Sequence, residues 1–138
     1  MKIISHRGNL HGKEVDNENN PEYIKKALRK FEVEVDVWFI DDSWFLGHDR
    51  PQYPVDLDFF DKRMWLHCKN IEAFSKLSEN RELNYFWHEN DKATITSFGV
   101  PWCNFGTYIN SGITVVFEHK LNLPKCFGIC TDYPMEYL

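Results

Sequence analysis

Between Phe31 and Trp38 the chain alternates without a break: Phe31-Glu32-Val33-Glu34-Val35-Asp36-Val37-Trp38. Successive side chains of a strand point to opposite faces, so Phe31, Val33, Val35 and Val37 fall on one face and Glu32, Glu34 and Asp36 on the other, with Trp38 following them. A period of two does not build an apolar stripe on a helix. Just upstream, Tyr23, Ile24, Ala27, Leu28 and Phe31 recur at helical spacing behind Pro21. Asn20 is placed to cap that helix. Further upstream, Lys2 to Ser5 is an apolar run of strand length, and Gly8 permits a sharp turn after it. Strand, helix, strand is the order of parallel strands joined by a crossover helix.

The rest of the chain carries more strands than helices. Asp41-Asp42-Ser43 reads as a turn, and Trp44 to Asp49 as a returning strand. Pro51 and Pro54 break the pattern, and Asp56 to Lys62 suits one turn of helix. Met64 to Lys69 is a short strand. Asn70 can cap a helix whose buried stripe is Ile71, Phe74 and Leu77. Leu83–His88, Thr94–Thr96, Ile113–Glu118 and Phe127–Thr131 read as strands, while residues 102–111 are ambiguous. A chain of 138 residues suggests one domain, 1–138, with a single core. Seven or eight strands could close into a barrel, although a full eightfold α/β barrel usually takes more than ~200 residues. The expected fold is therefore α/β: a reduced (β/α) TIM-like barrel with several outer helices missing.

Composition excludes several classes of function. The net charge is −5 and there is no basic run, which argues against nucleic acid or an anionic membrane as partner. No apolar stretch approaches the ~20 residues of a membrane helix. The four cysteines, Cys68, Cys103, Cys126 and Cys130, form no Cys-x-x-Cys pair and no zinc-ribbon spacing. No signal peptide precedes His6, and the chain reads as cytoplasmic with reduced thiols. Aromatics are abundant, with eleven Phe, six Tyr and five Trp, enough for a core and for pocket walls.

Polar residues suited to chemistry recur at the C-terminal ends of the expected strands, where open α/β sheets and barrels keep their sites. His6 offers proton transfer near neutral pH, and Arg7 a planar fork for phosphate or carboxylate. Glu34 and Asp36 share a strand face. If buried side by side they repel unless a cation or a shared proton intervenes, and hard oxygen ligands of this kind suit Mg²⁺, Ca²⁺ or Mn²⁺. If not, they are the solvated side of a half-exposed strand. A hairpin would bring His48 near them. His67 ends another strand, and Lys69 shares its face. His88 and Glu89 end a later strand and are further candidates. His11 and His119 read as surface residues.

These stretches, taken in order, resemble the glycerophosphodiester phosphodiesterases, within the phospholipase-C-like phosphodiesterases. The resemblance rests on His6-Arg7-Gly8, Glu18-Asn19 with Ala27, Glu34-Val35-Asp36-Val37, Gly47-His48-Asp49 and Gly128-Ile129-Cys130-Thr131-Asp132-Tyr133-Pro134. It covers residues 3–49 and 128–134, and is thin between them. It implies a β/α barrel, a divalent metal, His6 and His48 as the acid/base pair, Arg7 and Lys69 at the phosphate, and Glu34 and Asp36 as metal ligands. Asn19 belongs to the same motif set as a further site candidate. Where the family has a third acidic ligand, in a Glu-x-Lys motif, this chain has His67-Cys68-Lys69. Histidine is neutral and softer, which brings Mn²⁺ or Zn²⁺ into consideration beside Mg²⁺ and Ca²⁺. The interval from His48 to His67 is too short for the insertion with which many members recognise the alcohol group. The middle segments look like a bacterial subgroup of compact relatives associated with surface-polysaccharide synthesis, which implies a sugar phosphate as a candidate substrate.

The expected function is a metal-dependent hydrolase of a small-molecule phosphodiester. Two alternatives stand beside it. One is a non-catalytic phosphate or sugar-phosphate binding module. The other is a lyase or isomerase acting on a phosphorylated sugar.

Overall fold

A computed structural model describes all residues, 1–138. Ten strands form one mixed sheet: β1 (Lys2–His6), β2 (Glu32–Ile40), β3 (Ser43–Leu46), β4 (Tyr53–Val55), β5 (Met64–Cys68), β6 (Asn84–Phe86), β7 (Ala93–Ile95), β8 (Pro101–Cys103), β9 (Ile113–Val116) and β10 (Gly128–Thr131). The two helices are short, α1 (Pro21–Ala27) and α2 (Ile71–Leu77). Single 3₁₀ turns occupy Leu57–Phe59 and Pro134–Tyr137.

The parallel part of the sheet runs β6-β5-β2-β1-β10-β9-β8. The long strand β2 pairs with both β1 and β5 near its start, and its far end turns back into the antiparallel β3-β4 hairpin. β7 lies antiparallel on β8. This corrects the expected barrel. No ladder joins β6 to β7 or β8, so the sheet does not close, and three of its pairings, β2-β3, β3-β4 and β7-β8, are antiparallel. The physical reason lies in the second half of the chain. After α2, strands follow one another through turns and loops, without the crossover helices that a β/α barrel needs on its outside. Pro54 sits inside β4, an edge strand, which is where a sheet tolerates a residue without an N–H.

Both helices cap well. The Asn20 side chain accepts from the Glu22 amide, and that of Asn70 from the Ala73 amide. They cover one face of the sheet, where Ile24, Ala27, Leu28, Ala73 and Leu77 bury Val33, Val35, Val37 and Leu66. The opposite face has its own core of Ile4, Trp65, Phe86, Trp102, Ile113, Val115 and Cys130. Trp102 on β8 packs against Trp65 on β5 and Phe86 on β6, with ring centroids 5.6 and 4.6 Å apart. The sheet therefore curls over this aromatic floor. Glu34 and Asp36 project to the floor's side and are 2% and 0% exposed, so the solvated-strand alternative does not hold.

Candidate functional site

Register decides which side chains meet. His6 pairs with Glu34, Asp36 with His67, and His67 with Phe86. Paired residues on neighbouring strands share a face. His6, Glu34, Asp36 and His67 thus stand side by side above the aromatic floor, and Asp132 joins them just after β10.

His6 is held from both sides. Its Nδ1 lies 2.7 Å from Asp132 Oδ1, and its Nε2 lies 3.6 Å from Glu34 Oε2. A carboxylate only accepts, so Nδ1 carries a proton and Nε2 is the nitrogen turned to Glu34. Burial pushes the Asp132 carboxyl up, but the hydrogen bond and charge of His6, then Asn9 and Arg7, pull it below the usual range. Asn9 is fully buried and donates to both Glu18 Oε2 (2.7 Å) and Asp132 Oδ1 (2.8 Å). The ring of Phe117 meets the His6 ring edge-on at 5.5 Å.

Arg7 follows β1 with φ 57, and Gly8 with φ 92. A Cβ at Gly8 would lie 2.7 Å from Tyr23 Cδ2, so the turn requires glycine for space as well as for φ. The left-handed kink aims the guanidinium back over β2. Its Nη1 bonds Glu18 Oε1 at 3.1 Å, and its Nε lies 3.0 Å from Asp36 Oδ2, out of line for a hydrogen bond. Asn19, also left-handed (φ 65), grips Asp36 twice. Its Nδ2 donates to Oδ2 at 2.9 Å, and its Oδ1 accepts from the Asp36 amide at 3.0 Å.

Glu34 and Asp36 are driven apart in acidity. Burial and the neighbouring Asp36 charge raise the Glu34 carboxyl well above its ordinary value. Burial acts on Asp36 too, but His67, Arg7 and Asn19 outweigh it and hold that carboxyl below the usual range. Glu34 Oε1 and Asp36 Oδ1 are buried and accept no hydrogen bond. Two orphaned carboxylate oxygens are costly unless a cation or proton sits between them. His67 Nδ1 lies 3.3 Å from Asp36 Oδ1, and one ligand atom each from Glu34, Asp36 and His67 can be chosen within 4.8 Å of one another. This donor set fits a divalent cation.

The other candidates are arranged around this cluster. His48 lies in the loop after β3 with its side chain 42% exposed, and its Nδ1 bonds Asp49 Oδ1 at 2.8 Å. A cleft of ≈ 780 Å³ has both His6 and His48 in its wall, together with Arg7, Asn19, Phe117 and Asp132. Burial, then the Arg7 charge, lowers the His48 pKa. Gly47 (φ 153) sets the loop, since a Cβ there would collide with the Arg50 carbonyl oxygen. Lys69 is half-buried, and its charge acts on Glu34 and His48. The His88 ring turns away to the Asp91 carbonyl (2.6 Å), while the His88 carbonyl meets His67 Nε2 at 2.9 Å. Glu89 is exposed, with no bond to the cluster.

Sequence reasoning gave no role to Asn9, Glu18 or Asp132. Glu18 and Asp132 stand inside stretches that look like motifs, which was a usable signal. Nothing in the chain marks Asn9 individually, because its partners Glu18 and Asp132 meet it only in three dimensions. No helix is long and apolar enough to cross a membrane. Comparisons with protein-family models, with curated proteins and with solved structures give no match for this chain.

Proposed function

We propose that this protein is a metal-dependent phosphodiesterase that hydrolyses a small phosphodiester, of the glycerophosphodiester or sugar-phosphate type. The observation that carries the proposal is the pair of buried, unpartnered carboxylate oxygens on Glu34 and Asp36, beside a histidine whose Nδ1 is bonded to Asp132. The resemblance of the His6-Arg7-Gly8, Glu34-Val35-Asp36 and Gly47-His48-Asp49 stretches to the glycerophosphodiester phosphodiesterases points the same way.

The residues divide the work. Glu34 and Asp36, with His67, hold the cation. When bound, a divalent cation supplies Lewis-acid stabilisation of charge on the phosphoryl oxygens. Arg7 places a fixed positive charge in the cleft wall, and Lys69 adds a second nearby. His6 Nε2 takes a proton from water as the new oxygen–phosphorus bond forms. His48, protonated, gives its proton to the leaving alkoxide as the old phosphorus–oxygen bond breaks. The products are a phosphomonoester and an alcohol. The setting proposed is cytoplasmic, consistent with four unpaired cysteines.

The test is hydrolysis of bis(p-nitrophenyl) phosphate and of glycerophosphodiesters by the purified protein with Mg²⁺, Ca²⁺, Mn²⁺ or Zn²⁺. Turnover should fall at least ~10³-fold in His6→Ala, with the circular dichroism unchanged. Absence of turnover with every ion, or turnover untouched by His6→Ala, rejects the reading. Phosphorus NMR of the product separates hydrolysis from a lyase reaction, which would release a cyclic phosphate.

A further inference from the structure

We propose that His67 is a metal ligand through Nδ1, and that it makes the Glu34–Asp36–His67 site a mixed nitrogen–oxygen centre for a transition metal such as Mn²⁺ or Zn²⁺ in preference to Mg²⁺ or Ca²⁺. The proposal rests on the metal-dependent reading above and specifies which ions that site accepts.

Three contacts fix the imidazole. The His67 ring stacks on Phe86, with centroids 4.8 Å apart and planes 12° from parallel, so its plane is set by β6. His67 Nε2 lies 2.9 Å from the His88 carbonyl oxygen. A carbonyl can only accept, so Nε2 is the protonated nitrogen. That leaves Nδ1 as the nitrogen turned to the carboxylates, 3.3 Å from Asp36 Oδ1. That oxygen accepts no hydrogen bond, and neither does Glu34 Oε1. One ligand atom each from Glu34, Asp36 and His67 lie within 4.8 Å of one another.

The second contact is also the one expected of a ligating histidine. Metal-bound imidazoles generally donate their other N–H to a carboxylate, a backbone carbonyl or water, which fixes tautomer and ring orientation. Here the carbonyl comes from His88, whose own ring is engaged by the Asp91 carbonyl. Neither His88 contact depends on a metal, so the ring is oriented before any ion arrives. The donor chemistry then selects the ion. Mg²⁺ and Ca²⁺ favour all-oxygen shells, whereas imidazole suits zinc and its neighbours, and carboxylates still admit manganese.

The competing arrangement is an imidazolium that neutralises Asp36 and binds nothing. The two differ in an observable at the nitrogen itself. Full-length protein, stripped with a chelator, is loaded with Mn²⁺ and examined by pulsed EPR. The expected result is ¹⁴N modulation from one directly bound imidazole, lost in His67→Asp and in His67→Gln. In parallel, thermal unfolding is followed while Mn²⁺, Zn²⁺, Mg²⁺ or Ca²⁺ is added singly. Mn²⁺ and Zn²⁺ should raise the unfolding temperature at concentrations at least ~10-fold below those needed for Mg²⁺ and Ca²⁺. His67→Asp should narrow that ratio by a similar factor. Binding of Mn²⁺ without ¹⁴N modulation, or a preference unchanged in His67→Asp, overturns the proposal and leaves the metal-dependent reading standing. Failure of all four ions to bind overturns both. If the Asp variant does not fold, the Gln variant and the wild-type spectrum still decide the question.

Discussion

His6 Nδ1 meets Asp132 Oδ1 at 2.7 Å across 126 residues of chain, at the seam where the first strand lies beside the last. The same oxygen also accepts from Asn9 Nδ2. The contact places an Nδ1 proton toward Asp132 and turns Nε2 toward Glu34; in the proposed reaction Nε2 is the base. Asp132→Asn preserves an acceptor at this position, so the fold should survive. It removes the charge that fixes the tautomer. The expected loss in kcat on bis(p-nitrophenyl) phosphate is roughly 10²–10⁴-fold, with KM little changed.

The same pair makes stability depend on pH. Asp132 has a depressed carboxyl pKa in the folded chain, opposed by burial and produced chiefly by His6. A depressed carboxylate contributes stability that is complete above its unfolded value, near 4, and is lost as pH falls through the folded value. Urea unfolding at about pH 5 and about pH 3 should show a smaller drop for Asp132→Asn than for wild type.

Glu34 has the opposite sign. Its raised pKa means that the fold prefers the protonated form, so the metal-free protein should lose stability as pH rises from the ordinary glutamate range toward neutrality. Glu34→Gln removes the buried charge and can donate an N–H toward His6 Nε2, now 3.6 Å from Glu34 Oε2. Without metal at neutral pH, this variant should be more stable than wild type by about 1–3 kcal/mol, measured by chemical denaturation. Its unfolding temperature should no longer respond to added Mn²⁺.

Asn19 combines a left-handed backbone with two hydrogen bonds to Asp36. Asn19→Gly keeps the backbone and loses the bonds, at an expected cost of about 2–3 kcal/mol. Asn19→Ala should be worse by a further ~1 kcal/mol, because Ala carries a Cβ into the left-handed region. Equal losses in the two variants would show that the backbone conformation contributes nothing.

Much of the element order could be read from the chain. The alternation from Phe31 to Val37 became β2, Pro21 opened α1, and Asn20 and Asn70 capped their helices. The short strand β8 was hidden in an ambiguous stretch, because Pro101-Trp102-Cys103 has no alternation to detect. The barrel expectation failed for a related reason. Strand number is a local property, whereas closure requires a ladder between β6 and β7 or β8, and none forms.

Which chemistry-bearing residues share a strand face is legible in the chain, because side-chain direction in a strand follows from spacing alone. Glu34 with Asp36, and His67 with Lys69, are such pairs. What those groups are depends on three-dimensional packing. Burial against the aromatic floor makes Glu34 and Asp36 an unpartnered pair rather than a solvated face. Register sets His67 between Asp36 and Phe86, and the His88 carbonyl selects which imidazole nitrogen donates to the backbone. Arg7, in the cleft wall, also lies against Glu18 and Asp36. Charge, tautomer and pKa depend on neighbours within a few ångströms, and most of these neighbours are distant in the chain.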